Sequence, residues 1–275
     1  MRYQLKWRFA AGLLAAAMVA AAPAFARDVP FVPTPQPVVE AMLELAEIDK
    51  NDVVYDLGSG DGRIVITAAK KYGARGVGVD IDPERIAEGR ENARAAGVED
   101  KVKFIEGDLF QVDLRPATAV TLYLLPDVNL KLRPKLLKEL RPGTPVVSHS
   151  FSMGDWEPEK TVTVNGSTLY LWHIPARTAG RWEYRIARSD GRTETHRLEI
   201  TQDAQRIEGT VTIDGTTYPI SDGRVGIDEI SFSVERTIDG RAVTQRFKGR
   251  VIDGQVAGMA LLEERALPRQ AAAER

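Results

Sequence analysis

Two hydrophobic periods follow one another along the chain, and the change between them divides it into two parts. From residue 36 to about residue 150, short apolar runs alternate with longer segments in which apolar residues recur every three or four positions. Short apolar runs are typical of buried strands, and the longer period is typical of amphipathic helices. Strands that alternate with helices form a parallel sheet joined by right-handed crossovers.

The spacing predicts a first helix over about 38–46, then five strands and three further helices. The strands are predicted over 52–57, 75–80, 101–105, 118–124 and 144–149, and the helices over 62–72, 83–96 and 127–140. Asp82 is the predicted N-cap of the helix over 83–96, and Pro83 suits its first position. Residues 160–174 alternate on both sides of Asn165-Gly166, which predicts an antiparallel hairpin at the edge of the sheet.

From about residue 178 the helical period disappears, and apolar residues alternate with polar ones. The alternating segments contain or adjoin Asp-Gly pairs that begin at residues 190, 214, 222, 239 and 253. Asp-Gly supplies the positive φ that tight hairpin turns require, so we expect an up-and-down β-meander that forms a small closed or half-closed barrel. The predicted fold is an α/β, Rossmann-like domain over 27–176, closed by the antiparallel hairpin, and a small all-β domain over 178–264. Residues 265–275 carry no core pattern and are expected to be a disordered tail.

The first 26 residues follow a third pattern. Positive charges at Arg2, Lys6 and Arg8 precede an unbroken run of apolar or small residues, and further small residues lead to Ala26. This order is typical of a secretory signal peptide over 1–26, and it predicts an exported, periplasmic protein. The alternative is an uncleaved membrane anchor, although the apolar run is shorter than the roughly 20 residues that a span needs. Four prolines between residues 27 and 39 then predict an extended arm.

Composition narrows the possible chemistry. Hydrophobic residues make up 43% of the chain and charged residues 28%, and the net charge is −2. This balance argues against a nucleic-acid-binding protein, because such proteins usually carry a basic excess. The chain has no cysteine, which excludes disulfides, iron–sulfur clusters and a thiol nucleophile. Its three histidines show no metal-ligand spacing, so no metal site is expected.

The sequence VVYDLGSGDGR, residues 53–63, places three glycines just after a predicted strand. A strand, a glycine loop and a helix N-terminus allow a ligand to approach the backbone closely. Position 63 is arginine, so the dinucleotide fingerprint G-x-G-x-x-G is broken at its third glycine. Carboxylates follow three successive predicted strands at Asp56, Asp80 and Asp108. They suit an ammonium, a ribose diol and an exocyclic amine in turn, and S-adenosylmethionine offers these three groups without a phosphate.

These motifs resemble those of the class I S-adenosylmethionine-dependent methyltransferases, and the resemblance covers residues 36–175. It is carried by VVYDLGSGDGR, GVDID and EGDLF. The resemblance implies that Asp56 and the loop backbone hold the methionine part and the sugar, and that Asp80 binds the ribose hydroxyls. It also implies that Ile81 packs on adenine and that Asp108 meets the adenine amino group. The remaining residues assigned to the cofactor are Gly58, Ser59, Gly60 and Gly62 in the loop, and Leu109 beside the ring.

A narrower resemblance is carried by VPFVPTP, LLPDVNLKLRPKLLKEL and SHSFSMGDW. These segments are similar to a small family of lysine methyltransferases that have a proline-bearing arm before the first motif. Some members act on lysines of membrane-associated proteins. The resemblance implies a protein lysine as the methyl acceptor and an arm, at Pro33 and Thr34, that folds over the cofactor.

Methyl transfer requires little side-chain chemistry, because positioning the nucleophile in line supplies most of the rate. The candidates on the acceptor side are Tyr123 and Asn129, after the fourth predicted strand, and His149 at the end of the fifth. The open alternatives are that Tyr123 is a packing residue, that Asn129 is a solvated helix residue and that His149 is a structural histidine bonded to a nearby loop. The segment LYLLPDVN lacks the Asn/Asp-Pro-Pro-aromatic motif of enzymes that methylate DNA bases or glutamine, which counts against those acceptors.

Three other functions stay open at this point. The chain is alternatively a non-catalytic envelope protein that binds a nucleoside-type ligand. It is alternatively an interaction protein whose active part is the all-β domain. A nucleotide-dependent oxidoreductase is the third alternative, and the broken glycine fingerprint and the carboxylate of Asp56 both disfavour it.

Overall fold

The computed structural model describes residues 31–187 and 191–266. The predicted signal peptide over 1–26 lies outside these ranges, as do Asp190 of the first Asp-Gly pair and residues 267–275 of the predicted tail. Among the described residues, no helix combines the length and the apolar character needed to cross a bilayer.

A seven-stranded sheet, called the parallel sheet below, forms the first half of the molecule. Its strand order is β3-β2-β1-β4-β5-β7-β6. The first five strands are parallel, and β6 and β7 form an antiparallel hairpin against β5. The strands are β1 Val53–Leu57, β2 Arg75–Asp80, β3 Val102–Glu106, β4 Ala119–Leu122, β5 Pro145–His149, β6 Lys160–Val164 and β7 Ser167–His173. This order confirms the predicted Rossmann-like sheet with a closing hairpin.

Helices cover the parallel sheet. They are α1 Gln36–Leu45, α2 Arg63–Thr67, α3 Pro83–Ala95 and α4 Pro126–Glu139. Asp82 caps α3 by accepting a hydrogen bond from the Glu84 N–H at 3.0 Å, as predicted. The helix predicted over 62–72 differs in its second half, where Ala68–Tyr72 form a wider π-helical turn. No feature of the sequence indicates this change of winding.

The β6–β7 hairpin turns at the predicted pair. Asn165 and Gly166 have φ values of 49° and 81°, and positive φ at both central residues is what a type I′ turn requires. The hairpin places Leu169 and Trp172 of β7 in the core, where both are fully buried. The antiparallel pair therefore completes the hydrophobic cover of β5.

The second half of the chain, called the barrel below, is a seven-stranded antiparallel meander in the order β14-β13-β12-β11-β10-β9-β8. Its strands are β8 Gly180–Ala187, β9 Thr193–Asp203, β10 Arg206–Ile213, β11 Thr216–Val225, β12 Glu229–Ile238, β13 Arg241–Ile252 and β14 Gln255–Ala266. The last strand lies alongside the first, so the sheet is nearly closed. The interior is filled by alternating apolar residues such as Phe232 and Phe247, whose ring centroids are 5.4 Å apart. The predicted all-β meander is confirmed.

One Asp-Gly pair does not form the predicted turn. Asp222 and Gly223 lie inside β11, where the register with β12 shifts in a bulge. A Cβ atom on Gly223 would lie 2.1 Å from the carbonyl oxygen of Ile207, so the close approach of β10 requires glycine here. Strand β14 also continues to Ala266, so the first two residues of the predicted tail belong to the barrel.

Hydrogen bonds from the segment before β8 join it to the barrel on one side and to α4 on the other. The Ala176 N–H donates to the carbonyl oxygen of Gly226 at 2.8 Å. The Arg177 guanidinium donates to the carbonyl oxygens of Lys138 and Leu140 at 2.7 and 2.8 Å. These acceptors lie at the C-terminal end of α4, where a cation also complements the helix dipole.

The barrel core generates a stability prediction. Phe247 is 1% exposed, and we expect Phe247→Ala to lower the free energy of unfolding by about 3–5 kcal/mol, because it removes a ring and leaves a cavity. Leu262 on β14 is 61% exposed, and Leu262→Ala is expected to change stability by less than about 0.5 kcal/mol. Urea unfolding of both variants tests this, and equal effects would contradict the assigned interior of the barrel.

Candidate functional site

A cavity opens at the carboxyl ends of β1, β2, β3 and β4, where open α/β sheets bind their ligands. Nine of the eleven residues predicted to bind a cofactor line it: Pro33, Thr34, Asp56, Gly58, Ser59, Asp80, Ile81, Asp108 and Leu109. The other two, Gly60 and Gly62, are not among its lining residues and shape the loop beside it.

The glycine loop is fastened to β2. The N–H groups of Gly58 and Ser59 donate to the carbonyl oxygen of Val79 at 2.8 and 2.9 Å. The Gly60 N–H donates to Asp80 Oδ2 at 2.8 Å. A Cβ atom on Gly60 would lie 2.3 Å from the Phe31 ring, so glycine lets the arm lie directly on the loop.

Asp56 places a buried carboxylate at the end of β1. Its residue is 2% exposed, and Oδ1 accepts a hydrogen bond from the Thr121 hydroxyl at 2.7 Å. Burial raises the pKa of Asp56 to about 7, and the negative charges of Asp80 and Asp61 act in the same direction. A buried carboxylate in this state gains most from a cationic ligand group, which restores its charge at neutral pH.

Asp80 and Asp108 are held by backbone donors. Asp80 Oδ1 accepts from the Asp82 N–H at 3.0 Å, in addition to the bond from Gly60. Asp108 Oδ1 accepts from the Phe110 N–H at 2.9 Å. Each ionised carboxylate has about four acceptor positions, so both retain capacity for a ligand hydroxyl or amine.

The charge balance of the cavity favours a cation. Within the described part of the chain, five carboxylates line it, from Asp56, Asp61, Asp80, Asp82 and Asp108, against two guanidinium groups. One of these guanidinium groups, from Arg63, forms a 2.5 Å ion pair with Asp61. The surplus of negative charge disfavours a pyrophosphate, which argues against the dinucleotide alternative.

The N-terminal arm closes one side of the cavity. The Arg63 Nη1 atom donates to the carbonyl oxygen of Thr34 at 2.9 Å. The Arg85 guanidinium lies over the Phe31 ring at 4.9 Å, a cation–π arrangement. The sequence patterns select neither Arg85 nor Phe31 as a site residue, because only the folded arm brings the two together.

The acceptor-side candidates have different surroundings. Tyr123 lines the cavity just after β4. His149 ends β5, is 2% exposed and is not among the lining residues, but its ring lies 3.9 Å from that of Tyr123 between centroids. Asn129 is fully buried in α4 and is not among the lining residues either, and its amide donates to the carbonyl oxygen of Phe151 at 3.2 Å. It therefore braces the loop after β5, a role that neither alternative from the sequence included.

Within the two described ranges, no group of three or more histidine and carboxylate side chains is arranged to hold a metal ion.

The part of the chain that carries the cavity is similar to known proteins. Residues 56–160 match a family model described as the ANTKMT methyltransferase domain. The chain is 48% identical over 151 residues to a protein-lysine N-methyltransferase of Saccharolobus islandicus, a match that covers 53% of this chain and 94% of that protein. It is 37% identical over 148 residues to the mouse adenine nucleotide translocase lysine N-methyltransferase, covering 54% of this chain and 64% of the mouse protein.

A solved structure extends the similarity to a bound ligand. It is described as an RNA methyltransferase from Salinibacter ruber in complex with S-adenosyl-L-homocysteine. The two chains are 62% identical with a TM-score of 0.53, over 53% of this chain and 95% of that one. S-adenosylhomocysteine is what remains of S-adenosylmethionine after methyl donation. The cofactor predicted from the motifs, S-adenosylmethionine, is thereby confirmed.

The buried carboxylate generates a pH prediction. Because the folded pKa of Asp56, about 7, lies above its ordinary value of 3.8, Asp56 lowers the stability of the ligand-free protein as pH rises through this window. We expect Asp56→Asn to raise the free energy of unfolding above that of the unaltered protein, and this increase should be roughly 2 kcal/mol larger at pH 8 than at pH 5. Urea unfolding at both pH values measures this, with exposed Asp100→Asn as the matched control. Parallel behaviour of the two variants would contradict the assignment.

Proposed function

The chain belongs to the protein-lysine N-methyltransferase family of class I S-adenosylmethionine-dependent methyltransferases, and from this premise we propose that it methylates the ε-amine of lysine in an acceptor protein. The single observation that carries the proposal is the buried carboxylate of Asp56 above the glycine loop, in a cavity whose surplus charge is negative. That arrangement suits a ligand with an ammonium and a sulfonium.

Different residues of the cavity would bind different parts of the cofactor. Asp56 would hold the amino group, Asp80 the ribose hydroxyls and Asp108 the adenine amine. The backbone of Gly58 and Ser59 lies beside them without side chains large enough to fill the cavity. S-adenosylmethionine, when bound by these residues, would supply an activated methyl group for the acceptor nitrogen.

A protein lysine is favoured over RNA as the acceptor. The Salinibacter relative is described as acting on RNA, whereas the archaeal and mouse relatives are described as lysine methyltransferases. The net charge of −2 and the acidic cavity disfavour a polyanionic acceptor. The aromatic ring of Tyr123 at the cavity suits the alkyl chain and ammonium of lysine.

A methyl-transfer assay tests the proposal. Tritiated S-adenosylmethionine is incubated with residues 27–275 and either an envelope-protein extract or total RNA, and acid hydrolysis then identifies methylated lysine. We expect label in lysine and none in RNA. Asp80→Asn is expected to weaken S-adenosylhomocysteine binding about tenfold, since it removes a charged acceptor, while Asp100→Asn is expected to bind normally. Label in RNA alone, or in neither acceptor, would refute the proposal.

We further propose that the protein acts in the periplasm. The sequence of positive, apolar and small residues over 1–26 supports this. The mature protein is then expected to begin at Arg27 in a periplasmic fraction, which mass spectrometry of fractionated cells would measure. A mature chain that begins at Met1 in the membrane fraction would favour the anchored alternative.

A further inference from the structure

The backbone bends sharply at the end of β5, where His149 contacts the cavity-lining residues Tyr123 and Thr34. Ser150 has a φ of 66°, which is unusual for a residue other than glycine. Its N–H donates to the carbonyl oxygen of Thr168 at 2.7 Å. The next N–H, of Phe151, donates to the backbone carbonyl oxygen of His149 at 2.9 Å. The surrounding bonds therefore hold a strained residue between two ring side chains, a feature that recurs at functional sites.

Three rings gather at this bend. Tyr123 lies against His149 in a tilted arrangement with 3.9 Å between ring centroids, and it stacks on Phe151 at 6.4 Å. Tyr123 lines the cavity, whereas His149 and Phe151 contact it without being among the lining residues. An aromatic ring at a cavity attracts an ammonium and accommodates an alkyl chain.

The His149 imidazole is held from one side by the arm. Its Nδ1 atom lies 3.2 Å from the Thr34 hydroxyl, and Thr34 is itself 4% exposed. The Thr34 carbonyl oxygen accepts from Arg63, which is paired with Asp61 of the glycine loop. Among residues 31–187 and 191–266, the other ring nitrogen, Nε2, has no hydrogen-bond partner.

From this geometry, and resting on the proposed function, we propose that His149 accepts the proton of the acceptor lysine and that Thr34 is the positioning residue that holds its ring through Nδ1. In this arrangement Nδ1 carries a hydrogen and donates it to the Thr34 hydroxyl. Nε2 then keeps its lone pair for the substrate proton, by direct contact or through one water.

The proton step balances. An N–H bond of the lysine ammonium breaks, an Nε2–H bond forms, and the imidazole becomes an imidazolium that later returns the proton to solvent. The neutral amine is left with the lone pair that methyl transfer requires. Without such an acceptor, only the small fraction of lysine that is already neutral at pH 7 would react.

The electrostatic surroundings favour this role. Burial lowers the pKa of His149, so the ring is neutral at physiological pH. Tyr123 is the titratable side chain packed against it, while the arm contributes the uncharged Thr34 and β7 the apolar Leu169. No charged partner competes for the ring in these contacts.

Rate profiles from pH 5.5 to 9 in the lysine assay test the proposal. The unaltered protein is expected to reach a plateau above the pKa of His149. The rate of His149→Gln is expected to be about 100-fold lower at pH 7 and to rise nearly tenfold per pH unit above it, because this variant depends on lysine that is already neutral. His173→Gln, at the end of β7 that pairs with the first residue of β5, is the matched control and its rate should stay within twofold of the unaltered protein. A His149→Gln profile parallel to that of the unaltered protein would overturn the proposal.

A second measurement needs neither acceptor nor cofactor. With three histidines in the chain, nitrogen-15 NMR can assign the His149 ring by comparison with His149→Gln. We expect the Nδ1–H tautomer, which Thr34→Val should disturb and Thr34→Ser should retain. In the separate lysine assay, Thr34→Val alone of these two variants should lose about tenfold in rate. The Nε2–H tautomer in the unaltered protein would also overturn the proposal. If methyl transfer to lysine fails while the NMR result holds, the fault lies in the proposed function.

Discussion

A buried carboxylate at the end of β1 is the constraint around which the site is organised. Asp56 is enclosed at the edge of the parallel sheet, with one hydrogen bond from Thr121 and two acidic neighbours that oppose its ionisation. Such a group costs folding free energy unless a cation meets it. The fold therefore holds a site whose ligand-free state is penalised and whose occupied state is favoured by charge.

The parallel topology makes this arrangement possible. Adjacent parallel strands all end at the same edge, so carboxylates that lie far apart in sequence reach one cavity. The loop between β1 and α2 is fixed to β2 through Asp80 and Val79. The loop backbone beside the cavity is therefore in place before any ligand binds. Preorganisation of this kind lowers the ordering cost of binding.

The N-terminal arm contacts two segments that lie far apart along the chain. Thr34 meets Arg63 through its carbonyl oxygen and His149 through its hydroxyl, so one residue joins the glycine loop to the end of β5. The barrel contributes in a different way. Arg177, in the segment before β8, binds the C-terminal end of α4, and Glu157 pairs with Arg206 of β10 across the junction at 3.0 Å. The described strands of the barrel supply none of the residues that line the cavity.

The sequence by itself determined the order of strands and helices along the chain, the closing hairpin, the meander and the three carboxylates, Asp56, Asp80 and Asp108, that line the cavity. Local patterns are sufficient to predict these features: the hydrophobic period, the Asn165-Gly166 turn, and acidic residues at or just after the ends of strands. Only the tertiary structure decided that Asp222-Gly223 is a bulge, because its cause is the approach of Ile207 from another strand. The same holds for Phe31 on Gly60, for Asn129 as a buried brace and for Thr34 against His149, 115 positions away. Contacts between residues so distant along the chain depend on how helices and strands pack together, so a local sequence pattern does not predict them.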